Sequence, residues 1–391
     1  MAPDNPNRAL SRRRLVQRET YLDWNATAPL RPEAAAAISA ALTRCGNPSS
    51  VHRWGRMARQ TVERARESVA ALLGDVNPDG VVFVSGGTEA NHLALLGAER
   101  ERILVSDVEH DSVRYAFPGS EAIPVDRDGV VAVDTLDQML AADDQPALVS
   151  VMYANNEIGV IQPVADVAAV ARRHGALFHC DAVQAAGKLP LNVEEIGADL
   201  VSLSAHKLGG PAGIGALVVT GRLDLLPMFR GGRQERGKRA GTENLPGIAG
   251  FAAAAAAALE DITAYDRIRV LRDQLQEQIA EIATDAVVLG VAAPRLPNTA
   301  AIAMPGVAAE TQVIALDLEG VMVSSGAACS SGKVGPSHVL AAMQVEPELA
   351  GSTIRVSLGW NSSEEDIAHF LQAWTALYRR RRRVSTGARA A

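Results

Sequence analysis

The segment Asp199-Leu200-Val201-Ser202-Leu203-Ser204-Ala205-His206-Lys207-Leu208-Gly209-Gly210-Pro211 ends an apolar strand in Ser-x-His-Lys and passes directly into a Gly/Pro loop. A lysine at a strand's carboxyl end, beside pliable backbone, is placed to bond covalently to a carbonyl cofactor. Ser204 and His206 can meanwhile donate to that cofactor's phosphate. The nucleophile is the neutral amine, so burial or a neighbouring cation must favour loss of the Lys207 proton. An exposed surface lysine fits poorly between a buried strand and a Gly-Gly-Pro turn.

Two upstream segments offer complementary groups. Val81-Val82-Phe83-Val84-Ser85-Gly86-Gly87-Thr88-Glu89 reads as a strand, a glycine turn and a helix start. Backbone at Gly87, the first helical N–H groups and the Thr88 hydroxyl can bond phosphate oxygens there. Any tight strand-to-helix turn can use glycine, so the feature gains weight only in company. In His179-Cys180-Asp181-Ala182-Val183-Gln184, Asp181 ends an apolar strand, where a charge must be solvated or paired. A protonated pyridine nitrogen is one such partner; a helix cap is the alternative use of the residue. His179 shares the face of Asp181 and Cys180 the opposite one. His179 is read as packing or as support for the site.

Cys45, Cys180 and Cys329 are far apart and odd in number, and no Cys-x-x-Cys pair or tight Cys/His cluster occurs. No zinc site is expected, and this usage fits a reducing compartment. Cys45 and Cys180 read as buried inert thiols. Cys329 lies among small residues and glycines from Ser324 to Gly332, a segment suited to a moving loop.

These groups need a frame. A chain of 391 residues predicts two domains. An apolar share of 48% and a charged share of 21% describe an ordinary soluble globular protein. With 38 basic and 45 acidic residues the net charge is −7, against a dedicated nucleic-acid binder. No run reaches the ~18 apolar residues of a membrane span. Arg12-Arg13-Arg14 is followed by Gln17-Arg18-Glu19-Thr20 rather than an apolar segment, so no export signal is read and a cytoplasmic location is expected.

Predicted strands at Val81–Val84, Arg102–Ser106, Ala147–Tyr153, Ala176–Asp181, Asp199–Ser204 and Ile214–Val219 alternate with helices such as Trp54–Leu73, Glu89–Ala98 and Val164–His174. The fold class is therefore α/β, a mostly parallel sheet covered by helices, with ligands at the carboxyl ends of its strands. Residues 1–18 read as a disordered arm and 19–250 as the large domain, with an N-terminal segment able to pack on the small one. Gly247–Ala283, with seven consecutive alanines, reads as one long connector helix. The span 251–378 is this connector plus a small α+β domain, with strands near Thr299–Ala303, Val321–Ser324 and Thr353–Leu358. Its last helix is expected to open on a Ser362/Glu365 capping box and to run to Tyr378. Arg379–Arg383 falls in a solvated, disordered basic tail, 379–391.

Jointly, Asp-x-x-Gln at 181–184, Ser-x-His-Lys at 204–207 and the upstream Gly-Gly-Thr helix start resemble the class V aminotransferase superfamily. These are pyridoxal-phosphate enzymes of fold type I, with a seven-stranded-type sheet in the large domain. Within it, the likeness to cysteine desulfurases of the NifS/IscS type is close. It runs from about Tyr21 to Leu377. It includes Tyr21-Leu22-Asp23-Trp24-Asn25-Ala26-Thr27, Gly46-Asn47-Pro48-Ser49-Ser50-Val51-His52, Asn155-Asn156-Glu157-Ile158-Gly159, Glu235-Arg236-Gly237-Lys238-Arg239-Ala240-Gly241-Thr242, Ser324-Ser325-Gly326-Ala327-Ala328-Cys329 and Ser352-Thr353-Ile354-Arg355-Val356-Ser357-Leu358-Gly359. Ala28, Ala327 and Arg233 depart from the family's common residues, and none is a proposed catalytic group.

The resemblance implies roles residue by residue. Lys207 would carry pyridoxal 5'-phosphate as a Schiff base, and Asp181 would keep the pyridine nitrogen protonated. Gln184 would bond the ring's phenolic oxygen with Asn156 beside it, and His110 would stack on the ring and transfer protons. Gly87, Thr88, Ser204 and His206 would hold the phosphate, joined by Thr242 from a second subunit of a homodimer. Arg355 would grip the substrate carboxylate, with Asn156 and Asn25 nearby. Cys329 would attack the sulfur of cofactor-bound L-cysteine, giving alanine and an enzyme persulfide. Its thiol needs activation by the cofactor, by His110, or by basic neighbours such as Lys333 and His338.

The implied function is an L-cysteine desulfurase. It would pass sulfur to an acceptor or iron–sulfur scaffold protein for cluster assembly or for tRNA or cofactor thiolation. No resident metal is implied, although Cys329 would meet a cluster during transfer. The rival readings are a selenocysteine lyase or another class V lyase or aminotransferase, and an inactive scaffold that only binds sulfur acceptors.

Overall fold

The computed structural model describes residues 18–74, 76–221, 223–326 and 337–387. The chain enters through a two-residue strand, β1 (Thr20–Tyr21). It then builds a large sheet from β2 (Val81–Val84), β3 (Arg102–Ser106), β4 (Glu121–Ile123), β5 (Ala147–Ser150), β6 (Leu177–Asp181), β7 (Leu200–Ser204) and β8 (Gly215–Val219). The spatial order is β2-β8-β7-β6-β5-β3-β4, with β8 antiparallel to both neighbours and every other pairing parallel. Strands β2, β3, β5, β7 and β8 are buried at every residue, as a sheet covered on both faces requires. β4 has no apolar run to betray it. It is held at the edge by pairing with β3 and by Arg102, whose Nε donates to Glu121 Oε1 at 2.7 Å.

The expected single helix over 247–283 is two helices, Leu245–Glu260 and Ala264–Ile282, meeting at 73°. Asp261 and Thr263 are weak helix formers, and the Asp261 carboxylate is drawn away to Arg31 Nη1 at 2.6 Å. The alanine-rich first half packs tightly: a Cβ on Gly250 would meet Ile38 Cγ1 at 2.6 Å. Its Ile248, Phe251, Ala254, Ala255 and Ala258 join the large-sheet core, whereas Tyr265, Ile268, Leu271 and Leu275 beyond the bend join the smaller core.

The C-terminal part adds β9 (Val287–Leu289), β10 (Thr299–Ala303), β11 (Val321–Met322), β12 (Ser324–Ser325) and β13 (Thr353–Ser357). Four of them form an antiparallel sheet in the order β12-β13-β10-β9. The strand expected over Val321–Ser324 is divided at Val323: β11 pairs in parallel with β1, and β12 pairs with β13. Leu22 therefore sits in the small core, and Asp23 bridges to Ser357. This carries Asn25 into the crevice between the two sheets.

The last helix, Glu364–Gly387, is capped one residue later than expected. Ser363 N–H donates to Asp366 Oδ2 (2.9 Å) and Asp366 N–H to Ser363 Oγ (3.3 Å), while Ser362 Oγ accepts from Gly359 N–H instead. The helix continues through Arg379–Arg383 rather than stopping at Tyr378. Arginine is a good helix former, and Arg381 is anchored to Asp285 at 2.9 Å. Residues 1–17 and 388–391 lie outside the described residues, whereas Arg18 pairs with Asp366 at 3.0 Å.

Arg31 braces the backbone that follows Lys207. Its Nε donates to Leu208 O at 3.1 Å and its N–H to Gly209 O at 2.8 Å, while its guanidinium lies 3.9 Å from the Trp360 ring centroid. Gly209 adopts φ +90°, and a Cβ there would meet both Arg31 and Trp360 at 2.6 Å, so only glycine fits.

Candidate active site

Four parallel strands of the large sheet point their carboxyl ends at one crevice, as open α/β sheets do. β6 ends on Asp181, β7 leads through one helical turn to Lys207, β3 leads to Glu109-His110, and β5 leads to Met152–Asn156. β2, antiparallel to β8 and so running in the same direction as β7, feeds the helix Gly87–Gly97 from the same side. From the small sheet, β13 contributes Arg355 and β12 contributes Ser324. Together these groups enclose a cavity of about 370 Å³.

Of the residues singled out in the sequence, Asn25, Gly87, Thr88, His110, Asn156, Asp181, Gln184, Ser204, His206, Lys207 and Arg355 line this cavity. Thr242 does not; it lines a separate recess with Glu235 and Arg239. Cys329 and Lys333 lie outside the described residues. His338 is described, and its Nε2 is 2.9 Å from Glu109 O.

Each charged group is held by named partners. Asp181 Oδ2 accepts from Asn91 Nδ2 (2.8 Å) and Oδ1 from Val183 N–H (2.9 Å). Asn91 Nδ2 also donates to Ser112 Oγ at 2.8 Å, and Ser112 Oγ is 2.8 Å from His110 Nδ1. Because Ser112 N–H donates to His110 Nδ1 at 3.1 Å, the neutral ring carries its proton on Nε2. Burial lowers the His110 pKa against the opposing pull of Asp181, with Lys207 adding to the lowering. His206 is pushed down to about 4 by burial and by Lys207. Glu109, fully buried beside His110, is pushed up to about 8 by burial, opposed by its bond from Ser106 Oγ.

Lys207 Nζ donates to Asn25 O (2.6 Å) and Ala26 O (2.7 Å). Arg355 is 1% exposed; its Nη1 donates to Asn156 O (3.0 Å) and its Nη2 to Asp23 Oδ1 (2.8 Å), and its Nε has no partner among the described residues. His179 lies between Ser150 Oγ (2.8 Å) and Ser202 Oγ (2.9 Å) within the sheet, away from the cavity lining, and burial takes its pKa to about 3. Cys180 is buried, but Cys45 is exposed, which corrects its reading as a buried inert thiol; the polar residues Thr43, Arg44 and Asn47 around it keep that turn at the surface.

Four participants escaped the sequence reading: Asn91, Ser112, Asp23 and Lys188. Asn91 lies four residues after Gly87 on one helix, so the helical period could have placed it on the cavity side. Lys188 is a lone cation in the apolar stretch Ala185–Pro190, which is a signal of sorts. Asp23 gives no local hint of Arg355.

The architecture fits pyridoxal phosphate. The N-terminus of the helix at Gly87 lacks a side-chain cap, and a Cβ at Gly87 would press on Val183 Cγ2 at 3.1 Å. Thr88, Ser204 and His206 surround that end, as an anion site needs. A carboxylate, an amine and a guanidinium, those of Asp181, Lys207 and Arg355, line the same space.

The sequence profile of the aminotransferase class-V family matches residues 20–370. The chain is 40% identical over 385 residues to a cysteine desulfurase IscS of Dictyoglomus turgidum, covering 95% of this chain and 97% of that one. The fold is similar to that of a NifS-like protein from Rickettsia africae, with TM-score 0.85, 34% identity and coverage of 92% and 99%. It is also similar to SspA in complex with cysteine, with TM-score 0.73, 27% identity and coverage of 87% and 98%. With these likenesses spanning nearly the whole chain, it belongs to the class V aminotransferase family and, within it, to the NifS/IscS-type cysteine desulfurases.

Proposed function

We propose that this chain is a pyridoxal-phosphate-dependent L-cysteine desulfurase that converts L-cysteine to L-alanine and keeps the sulfur as a persulfide on Cys329. The carrying observation is the convergence of Lys207, Asp181, His110 and Arg355 on one cavity of about 370 Å³. The balance closes without an external oxidant: one thiol and L-cysteine give one persulfide and L-alanine.

When bound, the cofactor supplies an electron sink for cleavage at the amino acid. Lys207 would hold it covalently, Asp181 would pair with its ring nitrogen, and Gln184 with Asn156 would meet its ring oxygen. Gly87, Thr88, Ser204 and His206 would take the phosphate, with Thr242 reaching in from a second copy. Arg355 would meet the substrate carboxylate, and Asp23 and Asn156 hold its guanidinium at the cavity wall through two of its nitrogens. His110 offers Nε2 for proton transfer, because Ser112 occupies Nδ1.

A homodimer is supported by an apolar groove of about 430 Å³ along the helices Pro32–Leu42 and Arg53–Ala71, where Trp54 is 55% exposed. The reading extends to a sulfur-acceptor or iron–sulfur scaffold partner, and the free cysteines support a cytoplasmic, reducing location. Among the described residues, no single helix is long and apolar enough to cross a membrane.

The test is alanine and sulfide production from L-cysteine by the parent and by Cys329→Ala. The variant is expected to lose multiple turnover; undiminished turnover removes the persulfide step. Selenocysteine turnover independent of Cys329 assigns the chain to selenocysteine lyases instead.

A further inference from the structure

Lys188 is 2% exposed, yet the groups within its hydrogen-bond reach are amide oxygens rather than carboxylates. Its Nζ donates to Asn25 Oδ1 at 3.0 Å and to Gln184 Oε1 at 2.7 Å. Burial, then the positive charges of Lys207 and Arg355, hold the amine well below the ordinary lysine range. A neutral amine has two N–H donors, which matches the two oxygens it meets.

The neighbours fix which way round each amide sits. Asn25 Nδ2 donates to Asn156 O (3.1 Å) and Thr299 Oγ1 (2.9 Å), and Asn298 Nδ2 donates to Asn25 Oδ1 (3.1 Å). Lys188 therefore faces an acceptor at Asn25. Gln184 Nε2 donates to Asn25 O at 3.0 Å, so its Oε1 must face Lys188. The same Asn25 carbonyl takes the Lys207 amine at 2.6 Å. Without a donor at 188, a buried Gln184 Oε1 loses its partner, and the amide can turn its oxygen toward the cavity.

We propose that Lys188 is a positioning residue of the cofactor site, locking Gln184 and Asn25 so that an N–H, and not a carbonyl oxygen, is presented to the ring oxygen. The inference rests on the desulfurase reading above and assigns a residue that the family resemblance leaves without a role. The effect of Lys188 passes through Gln184, which distinguishes positioning from general packing.

The test is a pH titration of the Schiff-base absorbance in the purified holoenzyme, for the parent, Lys188→Met, Gln184→Leu and the double variant. The charged and titratable groups facing the cavity, Asp23, His110, Asp181, His206, Lys207 and Arg355, are unaltered in all four. Lys188→Met raises the midpoint by about one pH unit, because a ring oxygen without an oriented donor holds the imine proton more tightly. In the Gln184→Leu background the same change moves the midpoint by less than a third as much. An unchanged midpoint, or equal shifts in both backgrounds, overturns the proposal. Lys188→Gln, too short to reach Gln184, is expected to raise the midpoint likewise and replaces the methionine variant should that fail to fold. A parent protein with no such absorbance after cofactor addition defeats the cofactor reading itself, a result distinct from either.

Discussion

On the large-sheet side of the cavity, Asp181 is held by the N–H of Val183, two residues on, and by Asn91 on the neighbouring helix. On the opposite side, Asn25 takes partners from 131 residues away at Asn156 to 332 residues away at Ser357. The first wall is made by strand tips and the turns that follow them, braced by helices packed on the same sheet, such as the one that brings Asn91 to Asp181 from 90 residues away. The second exists only when the N-terminal segment, β10 and β13 have all come together. Reactive groups stand on the local wall, whereas substrate-holding groups stand on the long-range one.

Variants can separate the two walls. The largest effect is expected from Lys207→Ala, which abolishes turnover and borohydride-fixed labelling while leaving the thermal unfolding midpoint near that of the parent. Arg355→Lys is expected next, lowering kcat/KM on the order of 10²–10³-fold, since the charge stays but the fork to Asp23 and Asn156 is lost. Cofactor absorbance should survive that change; its collapse would show that the walls are not independent.

Glu157 sharpens the comparison through pH. Burial raises its pKa to about 7, opposed by the bond from Ser337 Oγ and by Arg355. A carboxyl that keeps its proton in the folded state but loses it near 4.3 when unfolded makes stability fall as pH rises from about 4.5 to 7. Glu157→Gln removes that slope, so urea unfolding should show the variant gaining on the parent across this window, by up to ~3 kcal/mol at pH 8. A gap that stays constant with pH would contradict a protonated Glu157. The smallest effect is expected from Ser112→Ala, which cuts the Asn91–Ser112–His110 link at a cost of about 1 kcal/mol, or roughly fivefold in kcat.

The local wall is also the legible one. Glycines at 86 and 87, Asp181 and Lys207 each sit at a strand end that hydrophobic patterning reveals, and the large-sheet strands β2 and β3 begin and end where patterning puts them. The edge strand β4 was not legible, because three residues with one charge carry no period. Nor was the bend at Asp261, where helix-forming sequence, alanine-rich before it and amphipathic after it, promises one continuous helix and Asp261 is instead drawn to Arg31. Asp23 was invisible for the same reason as the long-range wall, since its partner Arg355 lies 332 residues away, whereas Lys188 showed only as a lone charge in an apolar stretch, with nothing to name Asn25 as its partner. The split at Val323 follows the same rule, since β1 and β13 compete for adjacent stretches of one apolar run.

Arg31 gives this division of labour a mechanical side. One guanidinium touches the carbonyl just past the reactive amine, the indole of Trp360 in the C-terminal unit and the carboxylate at the helix bend. The backbone that follows Lys207 is thereby tied both to the C-terminal unit and to the helix bend without any contact inside the cavity.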